Sequence, residues 1–143
     1  MQKNLYISSI VKKIIKSRVH KLVGLLKKDL NFGIDSLFIN FISSQDIQQI
    51  NRDYLKHDIT TDIITFNYSG SNFKLDGEIF ISLDDAKKNA KKNNVSFNTE
   101  LTRLVIHGIL HLKGYDDIKP ADKKKMKSIE NNLTIKYNFP LLR

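Results

Sequence analysis

Four short runs rich in β-branched and aromatic residues stand among stretches whose apolar residues recur at helical spacing, and few architectures accommodate that order. Asn4–Ile10, Ser36–Ile42, Ile63–Tyr68 and Gly77–Ser82 read as strands, the last two separated by a Ser/Gly/Asn loop that suits a hairpin. Val11–Leu30 carries Val11, Ile14, Ile15, Val19, Leu22, Leu25 and Leu26 at a helical period. Ser43 with Asp46, and Ser82 with Asp85, are helix-start signatures, predicting helices toward Leu55 and Asn93. Thr99–Lys113 is a further helical pattern ended by Gly114, and Pro120 suits the first position of a last helix running toward Tyr137. Strands and helices that do not strictly alternate predict an α+β fold, with one mixed sheet of about four strands packed by helices.

Composition narrows the class. At 143 residues the chain is expected to form a single domain, residues 1–143, large enough to bury its own core. Its 41% hydrophobic and 27% charged residues argue against disorder. The absence of cysteine excludes disulfide frameworks, thiolate metal sites and thiol nucleophiles. Apolar stretches such as Leu104–Ile106 are too short to span a bilayer, and the first residues lack a signal peptide's apolar run. A cytoplasmic protein with no membrane partner is expected. The net charge of +9 suits a polyanionic partner such as nucleic acid. Solvated lysine faces explain it equally well, because the cations are 20 Lys and only 4 Arg beside 19 Ile and 13 Asn, a mixture that AT-rich coding favours.

The chemistry concentrates in HGILHLKGYDD, residues 107–117. His107 and His111 lie four apart on a predicted helix, so their imidazoles project from one face a turn apart. That spacing lets two neutral nitrogens reach one ion at roughly 2.0–2.1 Å each. Gly114 can end the helix in a left-handed conformation and let the chain turn back, bringing Asp117 to the same ion. The frame H-x-x-x-H-x-x-G-x-x-D thus supplies three ligands and leaves a fourth position for water, as in a zincin-like catalytic site. Zinc peptidases of this frame carry H-E-x-x-H, whose glutamate is the general base. Here that position is Gly108, which disfavours peptide hydrolysis.

These residues resemble the YbeY endoribonucleases, the ribosomal RNA maturation factors. The pattern H-G-x-L-H-L-x-G-Y-D-H is matched by His107, Gly108, Leu110, His111, Leu112, Gly114, Tyr115 and Asp116. A second segment resembles N-x-x-Y-R-x-x-D-x-x-T-D-V-L-S-F through Asn51, Tyr54, Asp58, Thr61, Asp62 and Phe66, and GEIFIS is similar to G-D-I-x-I-S. Two departures fall at functional positions. Asp117 stands in place of the family's third histidine; a carboxylate can ligate zinc at roughly 2.0–2.2 Å, though its charge should leave bound water less acidic. Lys56 is read in place of a functionally important arginine, keeping the charge but losing the planar fork that fits phosphate.

The resemblance implies a single-strand-specific, metal-dependent endoribonuclease acting in ribosomal RNA maturation, notably of the small subunit, and in ribosome quality control. Its partners would be ribosomal RNA and the ribosome or ribosomal proteins. One Zn2+ per chain, held by His107, His111 and Asp117, would lower the pKa of water from about 15.7 toward about 7 and polarise a phosphoryl oxygen. Lys56 would hold the scissile phosphate. The nucleophile is either water activated at the metal or the RNA's own 2′-hydroxyl. The competing reading is an RNA-binding or ribosome-assembly factor of the same fold with weakened or lost catalysis, and a third is another metal-dependent hydrolase. Elsewhere, Lys87, Lys88, Lys91 and Lys92 and the Lys123–Lys127 run read as solvated helix faces. Arg103 reads as the partner of Glu100, His20 and His57 as surface or capping residues, and Tyr115 and Phe66 as packing residues. Asp62 is expected to cap a turn or orient a ligand, and Asp116 to support the metal ligands or the turn.

Overall fold

The computed structural model describes residues 1–143 and realises the expected mixed architecture. In chain order its elements are β1 (Leu5–Ser9), α1 (Lys16–Leu30), β2 (Gly33–Ile42), α2 (Ser44–Leu55), β3 (Ile63–Asn67), β4 (Lys74–Ser82), α3 (Leu83–Lys92), α4 (Phe97–Leu112) and α5 (Pro120–Lys136). The four strands form one sheet in the order β1-β2-β4-β3. β1 and β4 flank β2 in parallel, while β3 closes the edge as the antiparallel half of the expected hairpin.

Alternation along the strands sorts side chains to the two faces. Leu37, Ile39 and Phe41 of β2 sit opposite Gly77, Ile79 and Ile81 of β4. Apart from the glycine, these belong to one continuous buried cluster that also takes in Val19, Leu22, Val23 and Leu26 of α1 and Leu101, Leu104 and Val105 of α4. The opposite face carries Phe66 and Phe80, whose rings meet edge to face at 6.0 Å, with Tyr54 of α2 against Phe66 at 5.7 Å. α2 therefore packs on that second face.

Local signals set most helix ends. The Ser43 hydroxyl accepts from the Asp46 N–H at 3.1 Å, and Ser82 does the same for Asp85 at 3.2 Å. Pro120 occupies the first turn of α5. β2 and β4 each begin three residues before the expected runs, at Gly33 and Lys74, and two helix starts also differ from the sequence pattern. α1 begins at Lys16 rather than Val11, because residues 13–15 pair instead with the chain's last residues: Ile15 N–H reaches Leu141 at 2.8 Å and Arg143 N–H reaches Lys13 at 2.9 Å. α4 begins at Phe97 rather than Thr99, since Ser96 caps it by accepting from the Thr99 N–H at 3.0 Å. His20 also departs from expectation: it is 7% exposed and its Nδ1 accepts from the Gln2 N–H at 3.1 Å. Burial, and the nearby amino terminus, hold its pKa below the ordinary value.

Candidate metal centre

α4 is buried on nearly every side. From Leu101 to Leu112 only Arg103, His107 and His111 escape full burial. Their spacing of four puts them on one stripe, the sole open line along an otherwise apolar helix. Gly108 lies about 100° round the helix from His107, on the flank that faces the sheet. A Cβ there would meet Ile79 Cδ1 at 2.9 Å, Ile79 Cγ2 at 3.0 Å and Ile63 Cδ1 at 3.2 Å. The peptidase glutamate is therefore missing for a packing reason: α4 touches β4 and β3 where that side chain would stand.

The turn after α4 follows from Gly114. At φ +100° it takes a conformation open chiefly to glycine. Gly114 N–H donates to the His111 carbonyl and Tyr115 N–H to that of Leu110, both at 3.0 Å, a Schellman closure of the helix. Asp116 holds the returning chain by accepting from the Ile118 N–H at 2.8 Å, so its role lies in the turn. Asp117 then arrives beside the histidines. Ligand atoms of His107, His111 and Asp117 lie within 4.8 Å of one another. His111 Nε2 stands 3.6 Å from Asp117 Oδ2, and the two imidazoles meet edge to face at 4.8 Å. Tetrahedral ligation at the distances usual for zinc places neighbouring ligand atoms about 3.3–3.5 Å apart. The His111–Asp117 pair is near that spacing, and two imidazoles with a carboxylate are a donor set that suits a divalent transition metal. Burial, and then the neighbouring His107, hold the His111 pKa below its ordinary value, which favours the neutral, ligating form.

The residue that sequence reading missed is Glu130. It projects from α5, is 5% exposed, and its Oε1 lies 2.5 Å from His107 Nδ1. With Nδ1 engaged as a donor, His107 presents Nε2 to the metal side. Glu130 was legible in principle: it falls in the stripe Met126, Glu130, Leu133 and Thr134 that buries α5, and a carboxylate in such a stripe needs a partner. That partner set includes Arg103. Its guanidinium grips Glu100 with two bonds of 2.9 and 2.6 Å, reaches Glu130 at 3.4 Å, and stands 3.7 Å from Asp62. The expected Glu100 pair is present, but it is one arm of a larger clamp. Its charged form is favoured first by the Glu100 bonds. Asp62 has its pKa raised by burial, opposed by Arg103, and accepts a further bond from Asn89 at 3.0 Å. Its place is thus in the charge network behind the ligands.

A cavity of about 170 Å³ opens beside this cluster, lined by Arg103, His107, Asp117 and Glu130 and, from α5, by Lys123, Met126 and Lys127. Lys56 is not among its walls. It caps α2 in the left-handed region at φ 59°, exposed, with no side-chain hydrogen bond or ion pair, and it begins the segment that leads to Asp62. Counting along the resembled motif from Tyr54 places the arginine at Leu55, so Lys56 is the adjacent cation rather than the occupant of that position. His57 is exposed. Phe66 stacks among Tyr54, Tyr68 and Phe80, and Tyr115 packs against the core, as expected of packing residues. No helix is long and apolar enough to cross a membrane.

Residues 2–138 match the family model described as endoribonuclease YbeY. A protein of that name from Parabacteroides distasonis is 47% identical over 91 residues, 64% of this chain and 63% of its own length. Another from Bacteroides fragilis is 46% identical over 64% of this chain and 65% of its own length, so these matches span under two thirds of the relatives. A third, from Chlorobium phaeobacteroides, is 38% identical over 83% of each chain. A solution structure from Thermotoga maritima superposes with a TM-score of 0.69 at 26% identity, covering 93% of this chain and 88% of that one. With the motif histidines on the open stripe of a buried helix and the match running nearly end to end, the chain belongs to the endoribonuclease YbeY family.

Proposed function

We propose that this chain is a metal-dependent endoribonuclease that cuts single-stranded RNA, and that its substrate is ribosomal RNA, with maturation of the small subunit and ribosome quality control as its setting. The observation that carries the reading is the gathering of His107, His111 and Asp117 within 4.8 Å of one another, with His107 and Asp117 lining a small cavity. Zinc suits the donor set, and so do other divalent transition metals. When bound, such an ion supplies Lewis acidity to a phosphodiester and makes water a stronger acid.

The chain's own residues provide the rest. Glu130 accepts a hydrogen bond from His107 Nδ1–H and so fixes which ring nitrogen faces the ligand site. Arg103 holds Glu130 in turn, sharing its single charge with Glu100 and Asp62. Lys56, free in solvent, is the proposed contact for the scissile phosphate from the α2 side. Gly108 offers no base, which leaves proton removal to water or to the 2′-hydroxyl of the RNA.

The test is cleavage of a single-stranded ribosomal RNA fragment by metal-loaded protein, alongside His107→Ala. Cutting that disappears both in the variant and on chelation, with far-ultraviolet dichroism unchanged, is expected. Cutting that persists in His107→Ala would refute the assignment. Salt-sensitive RNA binding by wild-type protein without any cutting would favour the binding-factor reading instead.

A further inference from the structure

The cavity beside His107 has two sides of unlike character. Toward α4 its cation is already committed. The Arg103 guanidinium is bonded by Glu100 and Glu130 and faces Asp62, leaving it no charge to offer a ligand. Toward α5 stand Lys123 and Lys127. Both are exposed, and neither has an acidic partner, unlike Lys74, which pairs with Asp35 at 3.6 Å, and Lys136, which pairs with Asp29 at 3.1 Å. Met126, 1% exposed, anchors the helix between them, so that both residues border this cavity. Four residues apart, they rise about 6 Å along one face.

We propose that Lys123 and Lys127 form a phosphate-binding rim for single-stranded RNA, seating the backbone beside His107 and Asp117. This deepens the function proposed above by naming where its substrate's phosphates are held. Size supports a phosphate over a base: about 170 Å³ lies well below the roughly 300 Å³ at which small-molecule pockets begin, and admits a phosphodiester but not a nucleotide. Charge supports it as well, because a divalent cation bound beside Asp117 would offset that carboxylate's repulsion of a phosphate. Lysine runs on helices are usually solvated faces. These two differ from Lys87 and Lys91 of α3 by sharing a cavity with the metal ligands.

The experiment measures equilibrium binding of a fully 2′-O-methylated single strand, which resists attack by its own 2′-oxygen, to zinc-loaded protein across a salt series. Lys123→Gln/Lys127→Gln is compared with Lys87→Gln/Lys91→Gln, which removes the same charge elsewhere. Each lost phosphate contact lowers the salt slope by about 0.7 for single strands, so the rim variant should lose about 1.4. Between 50 and 200 mM salt, that difference amounts to about sevenfold in affinity. The α3 variant should keep the wild-type slope. Equal slopes in the two variants, or no binding by wild-type protein, would overturn the rim. Cleavage of the unmodified strand separates the two proposals: cutting with an unchanged slope removes the rim and keeps the nuclease, whereas a lysine-dependent slope without cutting keeps the rim and removes the nuclease.

Discussion

The side chain that most repays attention is Glu130, because it is buried, acidic and aimed at a ring nitrogen. A carboxylate behind a ligating imidazole fixes the tautomer and raises ligand basicity, and losing such a partner typically weakens metal binding by about 10–100-fold. Glu130→Gln keeps an acceptor for Nδ1–H but gives up the charge facing Arg103, so zinc affinity should fall by about tenfold; Glu130→Ala should cost about 100-fold. Competition with a chromophoric chelator measures both, and unchanged affinity in the alanine variant would contradict the role. At this scale the sequence was legible where partners are local. His107 and His111 are a turn apart, so spacing alone aligned them. Asp117 needed one glycine turn, which Gly114 announced. Glu130 lies 23 residues from His107, and only its place in the apolar stripe of α5 hinted at it. His20 was misread for the same reason: its partner is the distant backbone at Gln2.

Among the elements, α4 decides the site, and its contact with the sheet at Gly108 is the tightest constraint on it. Adding a methyl group there crowds Ile79 and Ile63. Overpacking of this kind usually costs about 1–3 kcal/mol, opposed by about 1 kcal/mol from alanine's better helix propensity. Gly108→Ala should therefore be destabilised by about 1 kcal/mol in urea unfolding, and a gain in stability would show that the layers are looser than described. Helix starts at Ser43 and Ser82 were readable because a cap and its helix are contiguous. The start of α1 was not, since Val11, Ile14 and Ile15 continue a helical pattern while the backbone of residues 13–15 is claimed by residues 141–143. Strand order was unreadable too: β2 pairs with β4 across an intervening helix and strand, which no local periodicity encodes.

For the whole molecule, the ligands draw on one rigid helix and the turn behind it, and the supporting acid comes from α5. Any ion that binds the folded arrangement and not the unfolded chain adds stability as RT ln(1 + [L]/Kd), about 2.7 kcal/mol at a hundredfold excess over Kd. For a chain of this size that corresponds to a rise of about 5–10 °C in Tm. Zinc should produce such a rise in calorimetry of the wild-type protein, a chelator should reverse it, and His111→Ala should abolish it. A full-sized shift in the variant would remove His111 from the ligand set.

The tight seat of Gly108 also limits what this scaffold can become. An enzyme that breaks peptides through a glutamate at that point needs a gap between helix and strands wide enough for a carboxylate and a water. Here the two layers are in contact, and opening them would unseat the histidines that make the location useful. Interlayer spacing, more than the choice of ligands, keeps this architecture from drifting into proteolysis.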